Sequence, residues 1–206
     1  MADTSESQII RFYDPDRRAL VPFNNSIGNG VHIPRRLVRR VRQDKYDITI
    51  NRNFFGVIQG CAKRTETRKD TWINHEIKKL YLTLHKMGFA HSVETWLDGE
   101  LVGGLYGVAI RAAFFGESMF SIKTDASKVA LVHLMARLYH GGYLFLDAQF
   151  LNDHLLQFGT IEVPRDEFHS LLSTALMQTA DLNLEVSGNE LMYQFLGKFF
   201  GVSSLS

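Results

Sequence analysis

The chain has 206 residues, 45% of them hydrophobic and 22% charged, enough apolar side chain for one sizeable core or for a small unit joined to a medium one. Its net charge of +1 excludes a protein that coats polyanions over its whole surface, so any nucleic-acid contact has to come from local clusters. The single cysteine, Cys61, excludes an intrachain disulfide and a cysteine-rich metal site. The polar start 1–8 is no secretory signal, and the longest apolar-plus-glycine run, Leu101 to Ile110, is too short for a membrane span, so a cytoplasmic protein is expected.

Taken in chain order, Pro34 to Lys45 opens with proline at a first-turn position and spaces Leu37, Val38 and Val41 for one face. This predicts an amphipathic helix with an arginine-rich outer side. Tyr46 to Asn51 alternates as a strand, Asn53 to Ala62 reads as a short helix, and Lys63 to Asp70 as a charged loop. Asn74 to Met87 repeats apolar residues at helical spacing and stops before Gly88. The period then changes. His91 to Leu97 and Glu100 to Ile110 flank Asp98-Gly99, a two-residue hairpin turn, and Ala112 to Phe120 reads as a third strand. Ser127 to Tyr139 is a predicted helix, Tyr143 to Phe150 a buried strand, Asn152 to Phe158 a short helix entered through an Asn or Asp N-cap, and Arg165 to Ala180 a helix after proline. A last amphipathic helix is expected from about Glu190 to Phe199. Strand, strand, strand, helix, strand, helix after residue 90 suits an α+β protein with a mixed sheet and flanking helices.

Several positions invite chemistry, each with a plain structural alternative. Arg35, Arg36, Arg39, Arg40, Arg42 and Lys45 face a single acid, Asp44; spacings of three and four put several on one face, where phosphates can bridge them or where they are simply solvated. Lys63, Arg64, Arg68 and Lys69 form a second basic stretch. Trp72 follows it and either stacks on a base or fills core space. Glu117 sits in the apolar run Phe114 to Phe120, which calls for a structural ion pair or a cationic ligand. Asp147 and Gln149, one residue apart on an apolar strand, are expected on one face as a buried polar network or a site, with Asn152-Asp153-His154 following at the strand's carboxyl end. The eight histidines show no metal spacing, and no P-loop, nucleophile elbow or dinucleotide fingerprint is present. Leu101 to Gly107 is glycine-rich inside a strand, which points to close backbone approach.

Together these residues resemble the bacterial leucyl/phenylalanyl-tRNA-protein transferase family. The matching strings are Gly60-Cys61-Ala62, Thr71-Trp72-Ile73, GFAHSVETW from Gly88 to Trp96, LVGGLYGV from Leu101 to Val108, GESMFS from Gly116 to Ser121, Asp147-Ala148-Gln149, and LNDH from Leu151 to His154. The resemblance runs from about Tyr13 to Thr174.

It implies an acetyltransferase-like (GNAT-type) catalytic domain over residues 63–206 behind a small N-terminal α+β domain over 1–62, shortened relative to the family. Leu or Phe, less readily Met, would pass from aminoacyl-tRNA to proteins beginning with Arg or Lys, marking them for N-degron degradation. No metal and no nucleotide cofactor is implied, and a monomer is expected. Asp147 and Gln149 match the catalytic pair, the Asp polarising the Gln, whose carbonyl orients the incoming amine and helps deprotonate it. Glu117 matches the acid that receives the acceptor's basic side chain. Trp72 matches an aromatic stacked on the terminal adenosine, and Leu105, Phe114 and Leu138 match the apolar pocket for the donor side chain. Asn152 shapes the site, and Arg35, Arg36, Arg39, Arg40 and Arg42 match the basic patch for the acceptor stem. Family members usually carry a further front segment ending in a Gly-aromatic-Phe-Pro string that builds part of the adenosine wall; this chain begins at that string's Met-Ala-Asp continuation. The alternatives are an acyl-CoA-dependent N-acetyltransferase, which would want a glycine-rich pyrophosphate loop before Ser127, and a relative that binds tRNA or protein termini without turnover.

Overall fold

The computed structural model describes residue 10, residues 12–64 and residues 71–201. Among them seven strands form one open mixed sheet in the order β2-β3-β4-β5-β6-β1-β7, and seven helices pack on it. The strands are β1 (Arg17–Val21), β2 (Asp47–Ile50), β3 (Ala90–Leu97), β4 (Glu100–Ile110), β5 (Ala113–Ser121), β6 (Phe145–Gln149) and β7 (Ile161–Pro164). The helices are α1 (Arg35–Arg42), α2 (Phe54–Ala62), α3 (His75–Lys86), α4 (Ala126–His140), α5 (Asp153–Leu156), α6 (Arg165–Leu176) and α7 (Gly188–Phe200). Segments before and after residue 62 share this one sheet, because β2 pairs with β3 and β1 lies between β6 and β7.

Local chemistry accounts for most boundaries. Asp98 and Gly99 both have positive φ, 52° and 79°, the pair a type I′ hairpin turn requires. Asn53, Asn74 and Asn152 cap α2, α3 and α5 by accepting from the N–H groups of Gly56, Ile77 and Leu155 at 2.8, 2.8 and 3.0 Å, satisfying donors that the first helical turn leaves open. The glycine-rich stretch of β4 serves close approach. A Cβ on Gly103 would lie 2.5 Å from the Cβ of Ala126, where α4 begins, and one on Gly107 would lie 2.3 Å from the Phe115 carbonyl oxygen.

Strand alternation divides the core. One face carries the largest cluster, with Leu105, Phe114 and Leu146 under α4, which is buried nearly all round, as a helix enclosed by neighbours must be. The opposite face carries two smaller clusters, one under α2 and α3 around Tyr106, the other around Phe145 and Phe168 of α6.

Two strands have no counterpart among the expected elements, β1 and β7. Both are short, and their backbone bonds go to residues more than a hundred positions away or to each other, so no local period announces them. Helix α6 ends at Leu176, four residues before the expected Ala180.

Candidate functional site

Among the described strands only β5 and β6 run parallel, and their pairing stops at Phe115 opposite Asp147. Beyond that point β5 continues to Ser121 while β6 turns away, so the sheet splits at the carboxyl ends of two parallel strands, a usual place for ligands in such sheets. Two irregularities shape the split. In the β4–β5 ladder Tyr106 opposes Ser118 and Gly107 opposes Gly116, leaving Glu117 as the extra residue of a bulge. In the β1–β6 ladder Ala19 opposes Gln149 and Leu20 opposes Asp147, leaving Ala148 extra. Bulges of this kind re-aim side chains.

Re-aiming is what happens here. Gln149 takes φ +66°, and its Nε2 donates to the Gly116 carbonyl at 3.2 Å and to Glu117 Oε2 at 3.1 Å. Asp147, fully buried, accepts the Gln149 backbone N–H on Oδ1 at 2.8 Å. Its carboxylate is gripped by Arg18, whose Nε donates to Oδ1 at 3.4 Å and whose Nη2 bonds Oδ2. Asp147 therefore meets the backbone of Gln149; the side-chain amide it was expected to polarise is engaged by Gly116 and Glu117. Arg18 also lies over the Phe168 ring, 4.6 Å from Cζ to the centroid.

The electrostatics follow from burial. Loss of solvent pushes the Asp147 carboxyl up from its ordinary value, while the Arg18 guanidinium and the Gln149 N–H pull the other way. Glu117 is also raised by burial and, less strongly, by the charge of Asp147, against hydrogen bonds from Tyr81 and Gln149. Tyr81, from α3, is raised in turn by its own burial and by Glu117.

Two cavities meet at this network. The larger, about 790 Å³, opens in the split and is walled by Leu105, Met119, Leu131, Leu134 and Leu146, with Asp147, Asn152 and His154 at its polar side. The smaller, about 290 Å³, is lined by Arg18, Trp72, Tyr81, Gln149 and the exposed aromatics Phe12 and Tyr13. Glu117 borders both. Of the expected donor-pocket residues, Leu105 lines the larger cavity, whereas Phe114 and Leu138 are packed inside the main core and are not on its wall. Trp72 is half-buried, packs beside the α2–α3 cluster and reaches the smaller cavity. Asn152 serves twice, as cap of α5 and as cavity wall.

The arginine helix lies at one side. Leu37, Val38 and Val41 of α1 are buried, and Arg35, Arg36 and Arg39 are exposed. Arg36 bonds Asp125 at 3.1 Å, and Arg40 and Lys128 approach the same carboxylate at 4.0 and 3.6 Å. Asp125 and Lys128, with Lys123, line a hollow that shares Ser121, Ser127 and His154 with the larger cavity. A basic path thus joins α1 to the split. Arg42 keeps a buried Nε without a partner. Of the second basic stretch, Arg68 and Lys69 lie outside the described residues.

Arg18, Tyr81, Leu131 and Leu134 escape a reading of the sequence. For the last two a signal exists: Ser127, Leu131 and Leu134 form an i, i+4, i+7 stripe on α4 that begins with a polar residue. Tyr81 is indistinguishable from the apolar stripe of its helix, and nothing local marks Arg18, whose partner is 129 positions away.

The fold and the split define an α+β protein with an apolar pocket, a buried acid–amide network and a basic approach. Residues 27–173 match the family model described as leucyl/phenylalanyl-tRNA protein transferase. A leucyl/phenylalanyl-tRNA–protein transferase of Phenylobacterium zucineum is 52% identical over 181 residues, covering 88% of this chain and 80% of the relative. The protein of that name from Caulobacter vibrioides is also 52% identical, covering 88% and 81%, and one from Rhodopseudomonas palustris is 51% identical, covering 87% and 78%. The chain belongs to the leucyl/phenylalanyl-tRNA protein transferase family.

Proposed function

We propose that this protein transfers an apolar aminoacyl group, Leu or Phe and less readily Met, from aminoacyl-tRNA to the amino terminus of proteins that begin with Arg or Lys, marking them for degradation. The observation that carries this reading is that Glu117 borders both cavities. A cationic acceptor side chain held there brings its α-amine beside an ester whose apolar side chain fills the larger cavity, where charged side chains would be rejected by desolvation.

The chemistry asked of the protein is modest. The acceptor amine attacks the ester carbonyl, an amide C–N bond forms, the bond to the ribose oxygen breaks, and the amine proton ends on that oxygen. Orientation supplies most of what an activated ester needs. Gln149 contributes its amide oxygen, since its Nε2 is committed to Gly116 and Glu117; that oxygen accepts from and aligns the amine. Trp72 offers its ring to the terminal adenosine, and the exposed arginines of α1 with Lys123 and Lys128 track the phosphates toward the split. Phosphate contacts carry no amino-acid identity, so donor choice rests on the cavity wall.

The divergence of β5 and β6 past their short parallel pairing supports an acetyltransferase-like architecture. In this reading the part before residue 62 supplies Arg18, the arginine helix and one wall of the smaller cavity, and the part after it most of both cavities. The protein, in the same reading, works as a monomer in the cytoplasm. Among the described residues no helix is long and apolar enough to cross a membrane.

Incubation with radiolabelled Leu-tRNA and an Arg-initiated peptide is expected to yield labelled peptide. Asp147→Ala should lower the rate by at least about a hundredfold, the scale expected when reacting groups lose alignment. No labelled peptide from the unaltered protein, with the same tRNA charged and intact, would refute the proposal.

A further inference from the structure

We propose that Arg18 is a positioning residue for the transfer reaction, acting through Asp147 on the backbone of Gln149; this rests on the functional reading above.

The argument starts from the bulge. A non-glycine residue at φ +66° is held there only when its surroundings over-determine it, and at Gln149 the fastening is the bond from its own N–H to Asp147 Oδ1, 2.8 Å long. An Asp side chain accepting the N–H two residues on is a common local turn device. Its acceptor strength depends on the carboxyl group being ionised. Asp147 is fully buried, and a buried carboxyl without a cation takes up a proton.

Arg18 is that cation. It forks onto both carboxylate oxygens, its side chain is only 12% exposed, and the Phe168 ring of α6 backs it at 4.6 Å. Among the described residues the charged groups acting on Asp147 and its network are Arg18 on β1 and Glu117 on β5, with Tyr81 of α3 bonded to Glu117; α6 presents the Phe168 ring to Arg18. With Glu117 itself an acid, Arg18 is the cation that keeps Asp147 ionised. The chain of consequence is continuous. Arg18 holds the charge of Asp147, Asp147 holds the left-handed turn, and the turn aims Gln149 so that Nε2 meets Gly116 and Glu117 at 3.2 and 3.1 Å. Small displacements of an aligning group cost large factors in rate.

The test compares Arg18→Ala, Arg18→Lys, Asp147→Ala and the Arg18→Ala/Asp147→Ala double variant, with single-turnover rates, KM for each substrate, pH profiles and Tm. Arg18→Ala should lower the transfer rate about a hundredfold with KM values moved less than about threefold. The double variant should be no slower than the slower single variant, because both changes cut one chain. In Arg18→Ala the acid limb of the rate profile should move to higher pH, since Asp147 then keeps its proton longer. Arg18→Lys, which keeps the charge and loses the fork, should leave that limb in place and recover part of the rate. Should Arg18→Ala fail to fold, the acid limb and the rate of Arg18→Lys against Arg18→Gln decide.

Rates within threefold of the unaltered protein, or multiplicative losses in the double variant with an unmoved acid limb, would overturn the proposal. A readout independent of turnover separates this inference from the functional one. The Gln149 amide proton, followed in a 15N-labelled sample, should move upfield in Arg18→Ala and stay in place in Arg18→Lys; no movement in Arg18→Ala overturns the role of Arg18 even where transfer activity is absent altogether.

Discussion

Two of the places where arginine meets aspartate in this protein, on α1 and at the split, have opposite consequences. On α1 the Arg36 side chain is 73% exposed and shares Asp125 with Arg40 and Lys128; at the split Arg18 is 12% exposed and grips Asp147 with both arms. In the first region the Asp125 side chain is itself only 7% exposed, but three cations surround it and Arg36 lies largely in water, so the outer pair is screened, worth little by itself, and several cations substitute for one another. In the second, burial makes each charge depend on its partner, and removing one leaves the other uncompensated. The same residue type is therefore replaceable in one place and specific in the other.

The sharpest way to break that comparison is at Glu117. Glu117→Gln keeps the shape and removes the charge that receives a cationic acceptor, so kcat/KM for Arg-initiated peptides should fall by about 2–5 kcal/mol of transition-state stabilisation, the range for removing one member of a buried charge pair. Kinetics across acceptor peptides check this; an unchanged preference for Arg and Lys would remove Glu117 from the acceptor site.

A step smaller is the donor pocket. Met119 is half-buried on the wall of the larger cavity, and Met119→Phe should narrow it, shifting preference from Phe toward Leu by about tenfold, the scale of one or two methylenes in an apolar pocket. Competition between Leu-tRNA and Phe-tRNA measures the ratio.

The pH dependence of Glu117 gives a third test, with activity and stability running in opposite directions. Burial raises its carboxyl above the ordinary value, so the ionised form needed for the acceptor is lost as pH falls, and lost sooner than for an exposed glutamate. For folding the sign reverses. A carboxyl with a raised native pKa binds its proton more tightly when folded, so its stabilising contribution is complete below the unfolded pKa and disappears as pH rises through the folded one. Glu117→Gln should accordingly raise Tm at neutral pH, and the gain should vanish in acid. Paired melting curves at the two pH values decide it.

The smallest effect belongs to α1. Arg39→Gln, at an exposed position, should raise KM for aminoacyl-tRNA only a few-fold, lower the log–log salt slope by about 0.7–0.9, leave kcat alone and change stability by less than about 0.5 kcal/mol. A loss as large as that of Glu117→Gln would erase the distinction between the two regions.

Much of the scaffold was legible from residue patterns. The Asp98-Gly99 hairpin, the Asn74-capped helix and the arginine helix depend on contacts between near neighbours in the chain, so their spacing and caps reveal them. The candidate site was legible in part. Glu117, Asp147 and Gln149 stood out as polar residues in apolar runs, and they do converge on one network. Strict strand alternation put the two side chains on one face, and the family resemblance implied that Asp147 polarises the Gln149 amide; the bulge at Ala148 and the positive φ of Gln149 change which atoms meet. Phe114 and Leu138 matched the family pocket yet sit in the core, since apolar character alone does not distinguish a cavity wall from the packing behind it.

Helix periods, turn residues and caps, all short-range, were enough to write the order of most elements and to flag the acids and the amide. Which strand lies beside which, and therefore that Arg18 reaches Asp147 across 129 positions and that Glu117 stands between two cavities, followed only once distant segments had paired. Short strands such as β1 and β7 draw their backbone bonds from partners remote in the chain, and a bulge exists only relative to the strand it opposes.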